Sequence, residues 1–528
     1  MKKTILTKII AAVVLTTTMI SCNKSLDLLP TNDVTSAQVY STANGYKQAF
    51  AKVYGAFALT GNQGPAGNGD VQGIDEGTSD FLRLFWKAQE LSTDEAVISW
   101  GDPGIQDFHN MNWSSSNPML KGLYYRSMYQ ITVANDFINQ SSDAKLSSRG
   151  ISDADATAIR KYRAEARFLR AFQYWVMMDL FGSAPFVTEN DAIGSTIPKQ
   201  ADRATLFNYI ESELKAIDPL LADPKTNEYG RADRAADWAL LARMYLNAQV
   251  YTGTARYTDA VTYSSKVIGA GYSLISNYQY IMRADNNLNT SENIFTINYD
   301  GLKTQSYGGT TFLVHAPVGG SENASSFGIG GGWAGLRTTK ALVNLFPDVT
   351  GTADKRSQFY TSGQNLDIND PTTFSDGYMI TKYKNVISTT GAAGQSLDFS
   401  DIDFPLFRLS EMYLIYAEAV LRGGTGGTPV QALIYLNNIR QRAYSNASGA
   451  IVTYDLNYIL DERARELYWE GFRRTDLVRF GKFTDASYLW PFKGGVKAGT
   501  GVAAFRNIYP IPSDDLTANP NLKQNTGY

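Results

Sequence analysis

The sequence predicts a mainly α-helical protein: tetratricopeptide-like helix pairs stacked as a partial right-handed solenoid, with a large irregular, loop-rich insertion laid across it. Three observations predict it. Residues 235–249 with 257–269, and 408–422 with 430–443, each read as a helix pair, the first with small residues at the crossing positions and a Tyr-x-x-Ala entry at Tyr257. Such pairs leave apolar faces that only a stacked neighbour can cover. Apolar residues also recur at three- and four-residue intervals along 120–139, 153–181 and 205–221, which supplies further helices. Between the two pairs, residues 288–407 lose that periodicity and become Gly- and Thr-rich, with short extended pieces at 293–299 and 378–385.

The chain has 528 residues, of which 44% are hydrophobic and 19% charged, enough to bury a large core. A formal net charge of −3 gives no basic face for a nucleic-acid partner. Tyrosine is in excess, with 32 Tyr beside 25 Phe and 8 Trp. Such amphipathic rings suit a protein that presents flat faces to a wet ligand.

Residues 1–21 read as a signal peptide: Lys2, Lys3 and Lys8 precede the apolar run 9–20, which is too short to span a bilayer, and Ser21 is the small residue at the cut site. Cys22 is the only cysteine, so no internal disulfide can form. The string MISC resembles a lipobox, with Met19 where leucine is usual, and Cys22 is the expected lipidation site. Residues 22–40 then form the lipidated N-terminus and tether, and 41–528 a single domain.

Within that domain, 41–287 form the N-terminal helical part. It starts with a helix at 43–59 that Gly61 can stop, and continues into 61–118, a Gly-, Asn- and Asp-rich stretch too long for a connector and therefore a functional loop region. Asp153–Phe181 is a long helix ended by Gly182, and 205–221 takes Thr205 as its N-cap. The insertion covers 288–407, and 408–528 carry the C-terminal helix pair and one more helical stretch, Tyr454–Phe483. In that stretch Leu456, Ile459, Leu460, Ala464, Leu467, Tyr468, Gly471 and Phe472 share one face. The opposite face is charged, Glu462 standing one turn from Arg465 and Glu470 one turn from Arg473 or Arg474. Periodicity alone reads this as a solvated amphipathic helix.

The string ERARELYWEGFRRTDLVRFGKF within that stretch, the terminal NIYPIPSDDLTANPNLKQNTGY, and AEARFLRAFQYWVMMDLFGSAPFVTE at 164–189 together resemble the SusD/RagB family of outer-membrane nutrient-binding lipoproteins. The resemblance covers nearly all the mature chain. It implies a lipid-anchored protein at the cell outer membrane, facing the exterior, that binds a glycan and delivers it to a TonB-dependent SusC-like transporter. Some relatives take up peptides, so a peptide-binding or scaffolding lipoprotein is the alternative, and a surface glycosidase a further one.

Catalysis finds little support in the residues. His109 and His315 lack metal-ligand spacing, no GxSxG is present, and the one thiol lies at the processed terminus, so no enzyme activity is expected. The glycine run 328–335, GIGGGWAG, lacks the strand, the Lys-Ser or Lys-Thr and the acidic residue of a nucleotide loop. No cofactor is expected either. A structural calcium is compatible with the family, but no EF-hand loop appears.

Carbohydrate binding asks less: flat aromatic faces rimmed by a few hydrogen-bonding groups. Ser92–Trp113 resembles the family's N-terminal ligand-binding loop, which makes Trp100 the aromatic contact and Asp102 and Gln106 the hydrogen-bonding candidates. The resemblance places Tyr307 and Trp333, from the insertion, beside the same site, with Trp86 as a further aromatic. Trp175, Trp238 and Trp469 fall among apolar neighbours on helices and are assigned to packing.

Overall fold

The computed structural model describes residues 36–191, 194 and 197–528; Cys22, the signal peptide and the first part of the tether lie outside the described residues. The fold is mainly helical. Its principal helices are α1 (Ala43–Ala58), α2 (Phe81–Glu90), α3 (Pro118–Gln140), α4 (Asp153–Phe181), α5 (Arg203–Ile217), α6 (Arg234–Leu246), α7 (Tyr257–Ile268), α8 (Gly309–His315), α9 (Leu409–Leu421), α10 (Pro429–Tyr444), α11 (Leu456–Leu467) and α12 (Arg473–Arg479). Short strands β1 (Val97–Ile98), β2 (Asn293–Ile297), β3 (Leu336–Arg337) and β4 (Phe404–Arg408) pair antiparallel as β1 with β3 and β2 with β4.

Successive helices stack, α3 on α4, α4 on α5, α6 on α7 and α9 on α10, as expected for a solenoid of helix pairs. α7 packs directly on α9 although the whole insertion separates them in sequence. The β2–β4 pairing closes the insertion at its base, since β2 follows α7 and β4 leads straight into α9.

Most helices begin and end near the predicted points. α1 stops at Leu59, whose N–H bonds to the Gly55 carbonyl, before Gly61 is reached. The N-cap of α5 is Asp202, not Thr205: its carboxylate accepts from the Thr205 N–H, and an N-cap aspartate fills that role as well as a threonine.

The stretch 61–118 holds more structure than expected. α2 is buried on every side, so its polar face of Arg83, Lys87 and Glu90 is enclosed by the fold and not solvated. Asp80 caps it by accepting from the Arg83 N–H.

The second correction concerns Tyr454–Phe483. It is two helices, broken at Trp469 and Gly471, both at positive φ (63° and 81°). A Cβ at 471 would lie 2.9 Å from the Phe85 ring, so only glycine fits there. The carboxyl of Glu90 accepts from the Gly471 and Phe472 N–H groups (2.6 and 3.1 Å), and that of Glu95 from the Trp469 N–H (3.1 Å). The amides freed at the break are thus satisfied from the α2 region.

The charged face is buried, not solvated. Glu462 pairs with Arg356, Arg440 and Arg465; Glu466 with Arg356, Arg408 and Arg442; and Glu470 with Lys382 and Arg408, not with Arg473 or Arg474. Arg473 instead binds Asp94 through two bonds of 2.7 Å. These pairs tie α11 and α12 to the insertion and to the α2–β1 connection.

Candidate functional site

The sheet pairing positions the site. Val97 faces Arg337 and Ile98 faces Leu336, and the next residue, Ser99, donates from its N–H to the Gly335 carbonyl at 2.9 Å. The N-terminal loop and the glycine-rich loop therefore run side by side, and Trp100 meets Trp333. Their centroids are 6.3 Å apart, and the Trp100 Nε1–H donates to the Trp333 carbonyl at 3.1 Å.

Gly335 makes this approach feasible: a Cβ there would lie 2.3 Å from Cε2 of Trp100. Gly335→Ala is therefore expected to push the Trp100 ring out of place and weaken ligand binding while leaving helix content unchanged. Titration beside circular dichroism checks it, and wild-type affinity would contradict it.

Tyr307 arrives on a loop held against the start of α2. Gly309 N–H donates to the Asp80 carboxylate at 2.8 Å, and one terminal nitrogen of Arg83 donates to the carbonyls of Gly77 (2.7 Å) and Tyr307 (2.9 Å). The Tyr307 ring is 37% exposed, 6.4 Å from Trp333, and 5.5 Å from Phe399. Successive rings Trp100, Trp333, Tyr307 and Phe399 are tilted by 44°, 61° and 42° to one another, so this aromatic arc is not a flat wall.

Behind the arc lies Arg83. Its guanidinium carbon is 5.7 Å from the Trp100 centroid, 5.8 Å from Trp333 and 4.7 Å from Phe312, within cation–π range of all three. Burial lowers its pKa to about 10, against the opposing pull of Asp80, Asp102 and Asp75. Asp102 and Asp75 are exposed, and both act electrostatically on this cation. His315 stacks on Trp333 at 4.9 Å, and its Nδ1 lies 2.7 Å from the Gly331 carbonyl.

The structure thus brings together Trp100, Trp333, Tyr307 and Asp102. Gln106 sits beside them, but its Nε2 donates to the carbonyls of Ile98 (3.0 Å) and Trp100 (2.6 Å), so those N–H groups hold the loop. Trp86 does not belong to the surface: it is fully buried, edge-on to Phe312 and Trp469, with its Nε1 donating to the Trp469 carbonyl at 3.0 Å. Its place on α2, with no solvated side, explains the difference.

Sequence reasoning missed Arg83, Asp75 and Phe399. A lone Arg, Asp or Phe in an irregular stretch carries no periodic or motif signal, and their convergence comes from long-range pairing. Among the described residues no group of three or more His, Cys, Asp or Glu is arranged to hold a metal ion, and no helix is long and apolar enough to cross a membrane.

A helical solenoid carrying an insertion, with an open aromatic arc formed between insertion and N-terminal loop, defines a surface ligand-binding class. A sequence model of the SusD family matches residues 358–528, and one described as starch-binding, associating with the outer membrane, matches 86–246. The chain is 35% identical to the starch-binding protein SusD of Bacteroides thetaiotaomicron, over 98% of this chain and 97% of that protein, and it belongs to the SusD/RagB family. Its fold is similar to surface glycan-binding protein A from Bacteroides thetaiotaomicron, solved in complex with laminarihexaose (TM-score 0.69, 22% identity, covering 92% of this chain and 99% of that one). It is also similar to surface glycan-binding protein A from Bacteroides fluxus (TM-score 0.70, 20% identity, covering 92% and 100%).

Proposed function

We propose that this protein is a non-catalytic surface lipoprotein that captures an oligosaccharide on the Trp100–Trp333–Tyr307 arc and passes it to a TonB-dependent SusC-like transporter. The observation that carries the reading is the arc itself: three partly exposed rings in one arc, backed by Arg83, with the exposed Asp102 and Asp75 acting on that cation. Sugar C–H faces stack on such rings, and hydroxyls meet the exposed carboxylates. Because the rings are tilted, they follow a chain that bends from one residue to the next. A starch-type α-glucan has that shape, which agrees with the starch-binding relative at 35% identity. A flat β-linked ribbon would meet fewer rings.

Binding to a glycan array beside a peptide library tests the reading. Retention of α-glucans and none of the peptides is expected; binding confined to peptides would overturn it. Incubation with the same polysaccharides should release no reducing ends.

The anchor is assigned to Cys22. An acyl chain contributes about 0.8 kcal/mol per buried CH₂, and none of the described helices could span the bilayer instead. Cys22→Ala is therefore expected to move the folded protein from the membrane pellet to the soluble fraction. Unchanged retention in the pellet would contradict the lipoprotein assignment.

A further inference from the structure

Glu90, at the end of α2, and Glu95, two residues before β1, are both buried, and their carboxyls meet. Each already holds backbone of the α11–α12 break. Glu90 Oε1 accepts from the Gly471 and Phe472 N–H groups, and Glu95 Oε2 accepts from the Trp469 N–H. The Glu95 carbonyl extends the same contact to the arc: it accepts from Trp469 Nε1–H at 3.0 Å and from the hydroxyl of Thr338, the residue after β3, at 2.7 Å.

That leaves Glu90 Oε2, a buried oxygen to which none of the described residues donates. A buried polar atom is normally paired, and the group beside this one is the other carboxyl. Two ionised carboxyls held together away from water repel, whereas one proton between them turns the contact into a hydrogen bond.

The groups around the pair are committed elsewhere. Arg473 donates to both oxygens of Asp94 at 2.7 Å, while its Nε lies 3.6 Å from Glu95 Oε1. The Tyr488 hydroxyl also donates to Asp94, at 2.6 Å. On the insertion side the Tyr383 hydroxyl donates to the Trp469 carbonyl, and Lys382 to the Tyr468 carbonyl and the Glu470 carboxylate. The Tyr468 hydroxyl donates to the Arg356 carbonyl. Burial and the neighbouring Glu95 hold the Glu90 carboxyl well above the usual carboxylate range, and burial pushes Glu95 up to about 8 although Arg473 opposes it.

We propose that Glu90 and Glu95 share one proton at neutral pH, and that this acid–carboxylate pair is an alkali-sensitive clamp holding the α11–α12 break against the root of β1. In alkali the proton passes to solvent, the two carboxylates repel, and the clamp loosens. The pair titrates as a unit. Free glutamates titrate near about 4.3, so above about pH 6 the unfolded chain binds no proton at either position. The folded chain holds one more, and this contribution lowers its folding constant about tenfold for each pH unit until the pair itself titrates.

Urea unfolding of the full chain between about pH 6 and 8 tests the clamp against Glu90→Gln, whose amide keeps the Oε1 acceptor and supplies an N–H where the shared proton stood. The variant is expected to lose the dependence on that proton, so that its folding constant gains about tenfold on wild type per pH unit. Raised carboxyls elsewhere, such as Asp237 and Asp403, are common to both chains and cancel. Glu95→Gln replaces Glu90→Gln if circular dichroism shows that the latter misfolds. Infrared spectra at neutral pH give an independent readout: a protonated-carboxyl C=O band present in wild type, bleached in alkali, is expected to be missing from either variant. Parallel pH profiles in wild type and variant, or spectra in which neither substitution removes such a band, would each overturn the proposal.

Discussion

Glu466→Ala is expected to destabilise the fold by about 3–5 kcal/mol, the range for removing one partner from a buried ion-pair network. Glu466 is fully buried on α11, with Oε1 accepting from Arg408 (2.6 Å) and Arg442, and Oε2 accepting from Arg356 (3.3 Å). The surrounding network sets six cations, Arg356, Lys382, Arg408, Arg440, Arg442 and Arg465, against five carboxylates, Glu292, Asp354, Glu462, Glu466 and Glu470. Losing one carboxylate widens an existing excess of positive charge in a place that water does not reach.

The pH dependence follows from the same groups. Burial pushes the Glu466 carboxyl up, but Arg442, Arg408 and Arg356 outweigh it and hold the pKa at about 2. A depressed carboxyl contributes stability that is present above the unfolded value of about 4.3 and lost as pH falls towards 2. The gap in Tm between wild type and Glu466→Gln is therefore expected to be full near neutrality and to close below about pH 4. Thermal denaturation across that window checks both statements. An unchanged Tm for the Ala variant, or a gap that widens in acid, would contradict them.

Trp100→Ala carries the other large effect, on binding. The ring is half-buried against Phe312 and Trp333, and its Nε1–H holds the Trp333 carbonyl, so truncation removes one stacking face and loosens the next. Loss of one aromatic anchor commonly costs about 2 kcal/mol, roughly thirtyfold in affinity. Circular dichroism stays native, because Trp100 belongs to a loop between the strand β1 and the rest of the N-terminal part. Trp175→Ala is the opposite case: 2% exposed and packed among Phe85, Phe172 and Arg243, it is expected to cost about 3–5 kcal/mol of stability.

The helices that stack as a solenoid were legible because apolar residues recur along them at three- and four-residue intervals, as in α4, whose limits match the sequence reading. α2 was not: it is a ten-residue helix inside a Gly-, Asn- and Asp-rich stretch, and its one polar face, Arg83, Lys87 and Glu90, is short and buried. The break at Trp469–Gly471 was hidden for another reason: its cause, Glu90 and Glu95, lies in a distant part of the chain. At the site, the aromatic residues stood out as Trp and Tyr in Gly-rich loops. Arg83 did not, since its role arises only when the Tyr307 loop folds back on α2. The charged face of α11 was misread for the same reason, its partners Arg356 and Arg408 being supplied by the insertion and by β4.

Isothermal titration of maltoheptaose into the wild-type chain and Trp100→Ala, side by side, is the most direct test of glycan capture on the arc. A saturable wild-type isotherm and an affinity at least about tenfold weaker in the variant are expected. Equal affinities would place the ligand elsewhere, and the absence of any isotherm with maltoheptaose or other glycans would contradict the glycan-binding account itself.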